Sequence, residues 1–171
     1  MKIMTTRRRF LVFSLGAALA ALLPAATRPA LAQGAAIGSI RIAFSRNVTD
    51  AWGDHVNLVA AELQRTLADI LGGAFHPGAG NRLVVTVNSL WLASYAGGGG
   101  SRMANGGGSN DYLESVATLY DHSGRELGSW PIISTESAAG AGAWYRPDID
   151  QRRLKALARN NAWWIKRYVA G

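Results

Sequence analysis

Apolar residues recur at intervals of three and four between Asp50 and Leu71, and this spacing constrains the fold more than any other feature of the sequence. The apolar residues are Trp52, Val56, Val59, Ala60, Leu63, Leu67, Ile70 and Leu71. Such spacing puts the side chains on one helical face, which has to be buried against another element. Thr49 or Asp50 is suited to cap this helix, and Gly72-Gly73 is suited to end it. We therefore expect one amphipathic helix starting near Asp50.

A second helix is predicted at the C-terminal end, from Asp150 to Val169. Its shared apolar face is expected to consist of Leu154, Leu157, Ala158, Trp164, Ile165 and Tyr168. Pro147-Asp148-Ile149-Asp150 leads into it. A helix of this kind requires a sheet or another helix to cover its apolar side.

Four segments between and before these helices have the alternation or the branched residues of β-strands. They are residues 40–44, 83–87, 112–120 and 127–134, the second of which can extend to Leu92. The turn Asp121-His122-Ser123-Gly124 joins the last two, and Pro131 indicates an edge strand or a strand end. The order β-α-β-β-β-α predicts an α+β fold, a single small domain with a mostly antiparallel sheet and two helices on one face.

The first residues have the pattern of an export signal. Residues 6–11, Thr-Arg-Arg-Arg-Phe-Leu, are followed by an apolar run to Leu23. This motif resembles the twin-arginine consensus Ser/Thr-Arg-Arg-x-Phe-Leu at every defined position, so Arg7, Arg8, Phe10 and Leu11 are the expected recognition residues. The resemblance implies recognition by the export machinery and a protein exported folded. A membrane anchor is the alternative, but 14 apolar residues fall short of the about 20 that span a bilayer.

The expected cleavage site is the small-x-small sequence at Ala30 and Ala32, with the cut before Gln33. Residues 1–32 then form a cleavable signal, and residues 33–171 form one α+β domain without a transmembrane segment. We expect this domain in the periplasm or secreted. It contains a glycine-rich loop, 97–110, in which seven of fourteen residues are glycine. Because ordered glycine loses much backbone freedom, we expect this loop to be mobile and sensitive to protease.

Charge and cysteine content exclude several classes of function. The signal holds five of the 18 basic residues and no acidic residue, so 13 basic residues remain against 11 acidic ones, a net charge of +2. This balance does not indicate a nucleic-acid partner. The sequence contains no cysteine, which excludes disulfides, thiolate metal sites and a lipid-modified cysteine.

The strand-helix-strand order and the hairpin Leu119-Tyr120-Asp121-His122-Ser123-Gly124 resemble small domains of bacterial envelope accessory proteins. These include the N-terminal domain of the Tol-system periplasmic protein and related outer-membrane assembly lipoproteins. The resemblance implies an assembly or binding role without catalysis. The missing anchor cysteine departs from the lipoprotein members.

No catalytic constellation is recognised in the sequence, so we expect no catalytic residue, no resident metal and no cofactor. Neither glycine cluster is followed by the Lys-Ser/Thr pair that would hold a nucleotide. The enzymatic alternative is a small secreted hydrolase or metal-dependent enzyme using Asp50, Asp54 and His55. These acidic residues lie near the expected helix start, where the helix dipole favours them for a structural reason.

The leading hypothesis is a non-enzymatic periplasmic binding or envelope-assembly protein whose partner is an envelope protein or an anionic envelope component. The last helix carries six of the 13 remaining basic residues, and no acidic residue follows Asp150. Residues 33–150 hold seven basic and 11 acidic residues, a net charge of −4. A third hypothesis is a peripheral binder of anionic envelope polymer or lipid, because helical spacing places Trp163 beside Arg159 and Lys166 and makes these three its candidate site. Favourable interaction with the helix dipole is the structural alternative.

Overall fold

The computed structural model describes residues 36–94 and 110–171. The predicted signal, its cleavage site and residues 97–109 of the glycine-rich loop lie outside these ranges. The strands are β1 Ile37–Phe44, β2 Asn81–Trp91, β3 Asn110–Tyr120 and β4 Glu126–Ser137. The helices are α1 Arg46–Trp52, α2 His55–Leu71 and α3 Ile149–Val169, and short 3₁₀ turns follow α2 and β4.

The four strands form one sheet in the order β1-β2-β3-β4. β1 pairs with β2 in parallel, with Ile40 opposite Leu83, whereas β2 with β3 and β3 with β4 are antiparallel. A parallel pair needs a crossover connection, which α1 and α2 supply. The predicted α+β class, the single domain and the mostly antiparallel sheet are confirmed. β4 is an edge strand, as Pro131 indicated.

Both long helices cover the same face of the sheet. The sheet contributes Leu83, Val85 and Val87 from β2 and Leu113, Ala117 and Leu119 from β3 to the core. The helices contribute Val59, Leu63 and Leu67 from α2 and Leu154, Leu157 and Ile165 from α3. All these side chains are buried, so one continuous core lies between the helices and the sheet.

The predicted first helix is two helices, and its predicted cap is wrong. The cap is Ser45, whose side chain accepts a hydrogen bond from the Val48 amide at 3.4 Å. Gly53 has φ of 50°, a left-handed conformation that ends α1 before α2 begins at His55. The apolar spacing continues across this break because α1 packs on β2, where the Trp52 indole donates to the Leu90 carbonyl at 2.9 Å.

The predicted apolar face of α3 is correct except at Trp164 and Tyr168, which are 38% and 45% exposed. The buried stripe consists of Ile149, Arg153, Leu154, Leu157, Ala158, Asn161, Ala162 and Ile165. Trp164 and Tyr168 point in the same direction as this stripe but lie in the last turns of the helix, where they are partly exposed. No helix among residues 36–94 and 110–171 is both long and apolar enough to cross a membrane.

Candidate binding surface on the C-terminal helix

A buried polar network fixes the rotation of α3 and therefore decides which of its faces is exposed. Asn161 accepts a hydrogen bond from the Ser115 hydroxyl at 2.9 Å, and its amide nitrogen donates to Ser134 Oγ at 3.0 Å. All three residues are at most 2% exposed. Turning the helix would leave these buried groups without partners, at a cost of about 1–3 kcal/mol each. Residues opposite Asn161 thus face solvent.

Arg153, in the first turns of α3, is buried rather than part of a solvated basic face. Its guanidinium donates to both carboxylate oxygens of Asp111, with Nε 2.8 Å from Oδ2, and to the Ala93 carbonyl at 2.7 Å. Asp111 also accepts from the Ala93 amide at 2.9 Å. This ion pair connects α3 to the end of β2 and the start of β3. Sequence reasoning missed it, although Asp111 alternates in phase with Leu113, Ala117 and Leu119, which signals the buried face.

Arg152 makes an exposed ion pair at the start of the same helix. Its Nε lies 2.7 Å from Asp148 Oδ2, and Arg146 approaches the other oxygen at 3.7 Å. The hydrogen bond from Arg152 holds the pKa of Asp148 below its usual value, with smaller contributions from the charges of both arginines. The positive charge of Arg152 is therefore partly neutralised.

Arg159, a predicted site residue, lies at the middle of α3 and pairs with α2. Its Nη1 is 3.3 Å from Glu62 Oε1, and Glu62 accepts a second hydrogen bond from Arg65 at 2.6 Å. The Arg159 side chain is half exposed, while Glu62 is largely buried. Arg159 can contact a ligand, but part of its charge is compensated within the protein.

The last turns of α3 combine exposed aromatic rings with basic side chains. Trp163 is 56% exposed, and Lys166 Nζ lies 5.3 Å from its ring centroid. The Arg167 guanidinium lies 5.4 Å from the ring centroid of Trp164, which stacks on Tyr168. We call Trp163, Trp164, Lys166 and Arg167 the terminal patch. They line an open groove of about 400 Å³ together with Gly171.

The cations of the terminal patch differ from Arg152, Arg153 and Arg159 in their partners. No carboxylate of the described residues lies within 4.0 Å of Lys166 or Arg167. The structure thus brings Trp163 and Lys166 together, as the helical spacing predicted, and places Arg159 one turn earlier, against Glu62. Lys166 is half-buried and Arg167 is exposed, and an ammonium or guanidinium group without a carboxylate partner can bind phosphate or carboxylate groups. The binding role of the three residues remains a prediction.

The residues of the enzymatic alternative lie at the junction of α1 and α2. Asp50, Asp54 and His55 are exposed, and Asp50 pairs with Arg46 at 3.6 Å. Within the two described ranges, no three His, Cys, Asp or Glu side chains are grouped closely enough to hold a metal ion. Asp54 occupies the N-cap position of α2 without a capping hydrogen bond from its side chain.

No protein-family model matches this chain. No curated protein matches it either. Among solved structures, a variant of PelC from Paraburkholderia phytofirmans, a dodecamer, has 18% identity and a TM-score of 0.43 and covers 84% of this chain and 92% of its own. A candidate lipoprotein of Caulobacter crescentus has 16% identity and a TM-score of 0.43, covering 66% and 80%. A DUF330 protein of Xanthomonas campestris has 11% identity and a TM-score of 0.46, covering 83% and 86%. Because these scores lie below 0.5, we base the proposed function on this chain's own residues.

Proposed function

We propose that this protein is a non-enzymatic binding protein of the bacterial cell envelope that holds an anionic envelope component against the terminal patch. The observation that supports this proposal most is the pair Lys166 and Arg167, which lie over exposed tryptophan rings without a carboxylate partner among the described residues. The interaction of an exposed cation with an aromatic ring contributes about 0.5–1 kcal/mol. This is too little to prevent the cation from binding an anionic ligand.

The charge distribution supports binding of an anion at this end of the molecule. Residues 33–148 hold seven basic and ten acidic residues, a net charge of −3, whereas α3 holds six basic residues and one acidic residue, Asp150. A charge division of this kind repels an anionic ligand from the rest of the surface and directs it to α3. The exposed ring of Trp163 adds an apolar surface beside the charge.

Export by the twin-arginine route is part of the proposal and puts the protein in the periplasm or outside the cell. The motif at residues 6–11 supports it, as does the resemblance of the element order to envelope accessory proteins. Replacing Arg7 and Arg8 by lysine keeps the charge but removes both guanidinium groups, so the chain should remain in the cytoplasm. Cell fractionation measures this, and unchanged export would show that another route is used.

Binding is tested with two anionic probes, immobilised polygalacturonate and vesicles containing phosphatidylglycerol, at low salt. The double variant Lys166→Glu with Arg167→Glu should be retained about tenfold more weakly than the unmodified protein, and added salt should weaken both. Arg46→Glu is the control for Lys166→Glu alone, because each reverses one charge; Arg46 is 92% exposed on α1, so its reversal should leave retention unchanged. The proposal would be contradicted if the unmodified protein bound neither polygalacturonate nor the vesicles.

A further inference from the structure

The terminal patch is one end of a longer track on the exposed face of α3. Two further open grooves, of about 480 and 410 Å³, lie along the helix toward its start. The middle groove shares Trp163 with the terminal patch, and it shares Ala156 and Arg159 with the groove at the helix start. Neighbouring grooves therefore join end to end.

Helix geometry makes this track straight. At about 100° per residue, six of the nine α3 residues that line the three grooves fall within an arc of about 100° on the side opposite the buried residues, while Asn160, Trp164 and Arg167 lie to one side of it. The six are Arg152, Lys155, Ala156, Arg159, Trp163 and Lys166. From Arg152 to Lys166 the helix rises about 21 Å, at 1.5 Å per residue.

Positive charge without a compensating carboxylate occurs at both ends of the track. Arg152 and Arg159 are paired with Asp148 and Glu62, but no described carboxylate lies within 4.0 Å of Lys155. Lys155 and Lys166 are 11 residues apart, or about 16 Å along the helix. Between them lie the ring of Trp163 and the polar side chains of Asn160 and Glu136, which are hydrogen-bonded to each other at 2.6 Å.

We propose that the track binds a linear acidic polysaccharide along its length, an inference that rests on the proposed function and names the ligand class. A single phosphate or lipid headgroup would occupy only one end. A chain of carboxylated sugars reaches Lys155 and Lys166 together, lays a sugar ring against Trp163 and presents hydroxyls to Asn160 and Glu136. Linking these contacts in one ligand raises affinity beyond that of each contact alone.

The test compares galacturonate oligomers of increasing length in solution with phosphatidylglycerol vesicles. Affinity should rise about tenfold or more until an oligomer spans about 21 Å and should then level off. Lys155→Glu should remove most of that gain for long oligomers and leave short oligomers unaffected, because short oligomers bind at the terminal patch. Arg46→Glu is again the control for charge, and thermal unfolding checks that each variant is folded.

If Lys166→Glu weakens binding of long oligomers but Lys155→Glu does not, the track is wrong, while the proposed function stands. If vesicles bind in a Lys166-dependent manner and no oligomer binds, the ligand is a lipid surface and the polysaccharide is excluded. If neither probe binds, the proposed function and this inference both fail.

Discussion

The first and last turns of α3 carry the same kind of side chain in different surroundings. In the first turns, Arg152 and Arg153 contact carboxylates at 2.7–2.8 Å. In the last turns, Lys166 and Arg167 lie over tryptophan rings. In the sequence alone, basic residues occur in both the first and the last turns of this helix. The difference shows that a count of basic residues does not measure the charge that is available to a ligand.

Burial explains the difference. Arg153 is 2% exposed, and a buried charge is tolerated only when it is paired and hydrogen-bonded, which Asp111 and the Ala93 carbonyl provide. Lys166 and Arg167 are near solvent, so water can satisfy them without a carboxylate. Arg153 therefore stabilises the fold, whereas Lys166 and Arg167 remain available for binding.

The largest expected effect comes from removing the buried cation. Arg153→Met keeps the length of the side chain but leaves Asp111 buried without its partner, so the free energy of unfolding should fall by about 3–5 kcal/mol. Urea unfolding measures this loss. Arg152→Met, one residue earlier, removes only the exposed ion pair with Asp148. It should change the free energy of unfolding by about 0.5 kcal/mol or less. Equal losses of unfolding free energy for the two variants would contradict the account, in which burial decides how much each cation stabilises the fold.

A smaller effect is expected at Arg159, which lies between the two regions. Glu62→Gln keeps an acceptor for Arg65 but removes the negative charge that faces Arg159. The affinity for polygalacturonate should rise about threefold, because Arg159 then resembles the cations of the terminal patch. Surface plasmon resonance measures it. The gain in affinity should vanish in the double variant Glu62→Gln with Arg159→Gln. A gain that persists in the double variant would show that Arg159 is not its cause.

The smallest effect is a change in titration at the start of the helix. The pKa of Asp148 is lowered by Arg152, so the stability from this contact is present above the pKa of the unfolded chain, near 3.8, and is lost as pH falls through the lower folded pKa. Arg152→Met should move the Asp148 midpoint upward in an NMR titration. Asp121, whose pKa is lowered to about 2 chiefly by Ser123, should not move. Equal shifts of the Asp148 and Asp121 midpoints would show that the contact between Arg152 and Asp148 is not the cause.

Much of the fold could be predicted because apolar periodicity is a local property. The spacing in α2 and α3 and the alternation in β2 and β3 each report on one segment, and all are matched by burial in the structure. The break at Gly53 was missed because the apolar pattern continues through it. Trp164 and Tyr168 were expected to be buried because helical spacing gives the direction of a side chain but not how far along the helix the covering surface extends.

The partners of charged residues could not be predicted in the same way. Arg153 and Asp111 are 42 residues apart, and Arg159 and Glu62 are 97 apart, so no local pattern connects them. Trp163 and Lys166 are three residues apart on one helix, and the helical repeat was sufficient to bring them together. The local pair Trp163 and Lys166 was therefore predicted. The distant carboxylates that pair with Arg153 and Arg159 were not.

The indole N–H signals of the six tryptophans test the central claim most directly. In an NMR titration with a galacturonate oligomer, the Trp163 signal should shift most and that of Trp164 next, because both rings line the terminal patch. The Trp52 signal should stay fixed, since its N–H is bonded to the Leu90 carbonyl 2.9 Å away in another part of the fold. Shifts confined to other tryptophans, such as Trp91 or Trp144, would show that the last turns of α3 are not the binding surface.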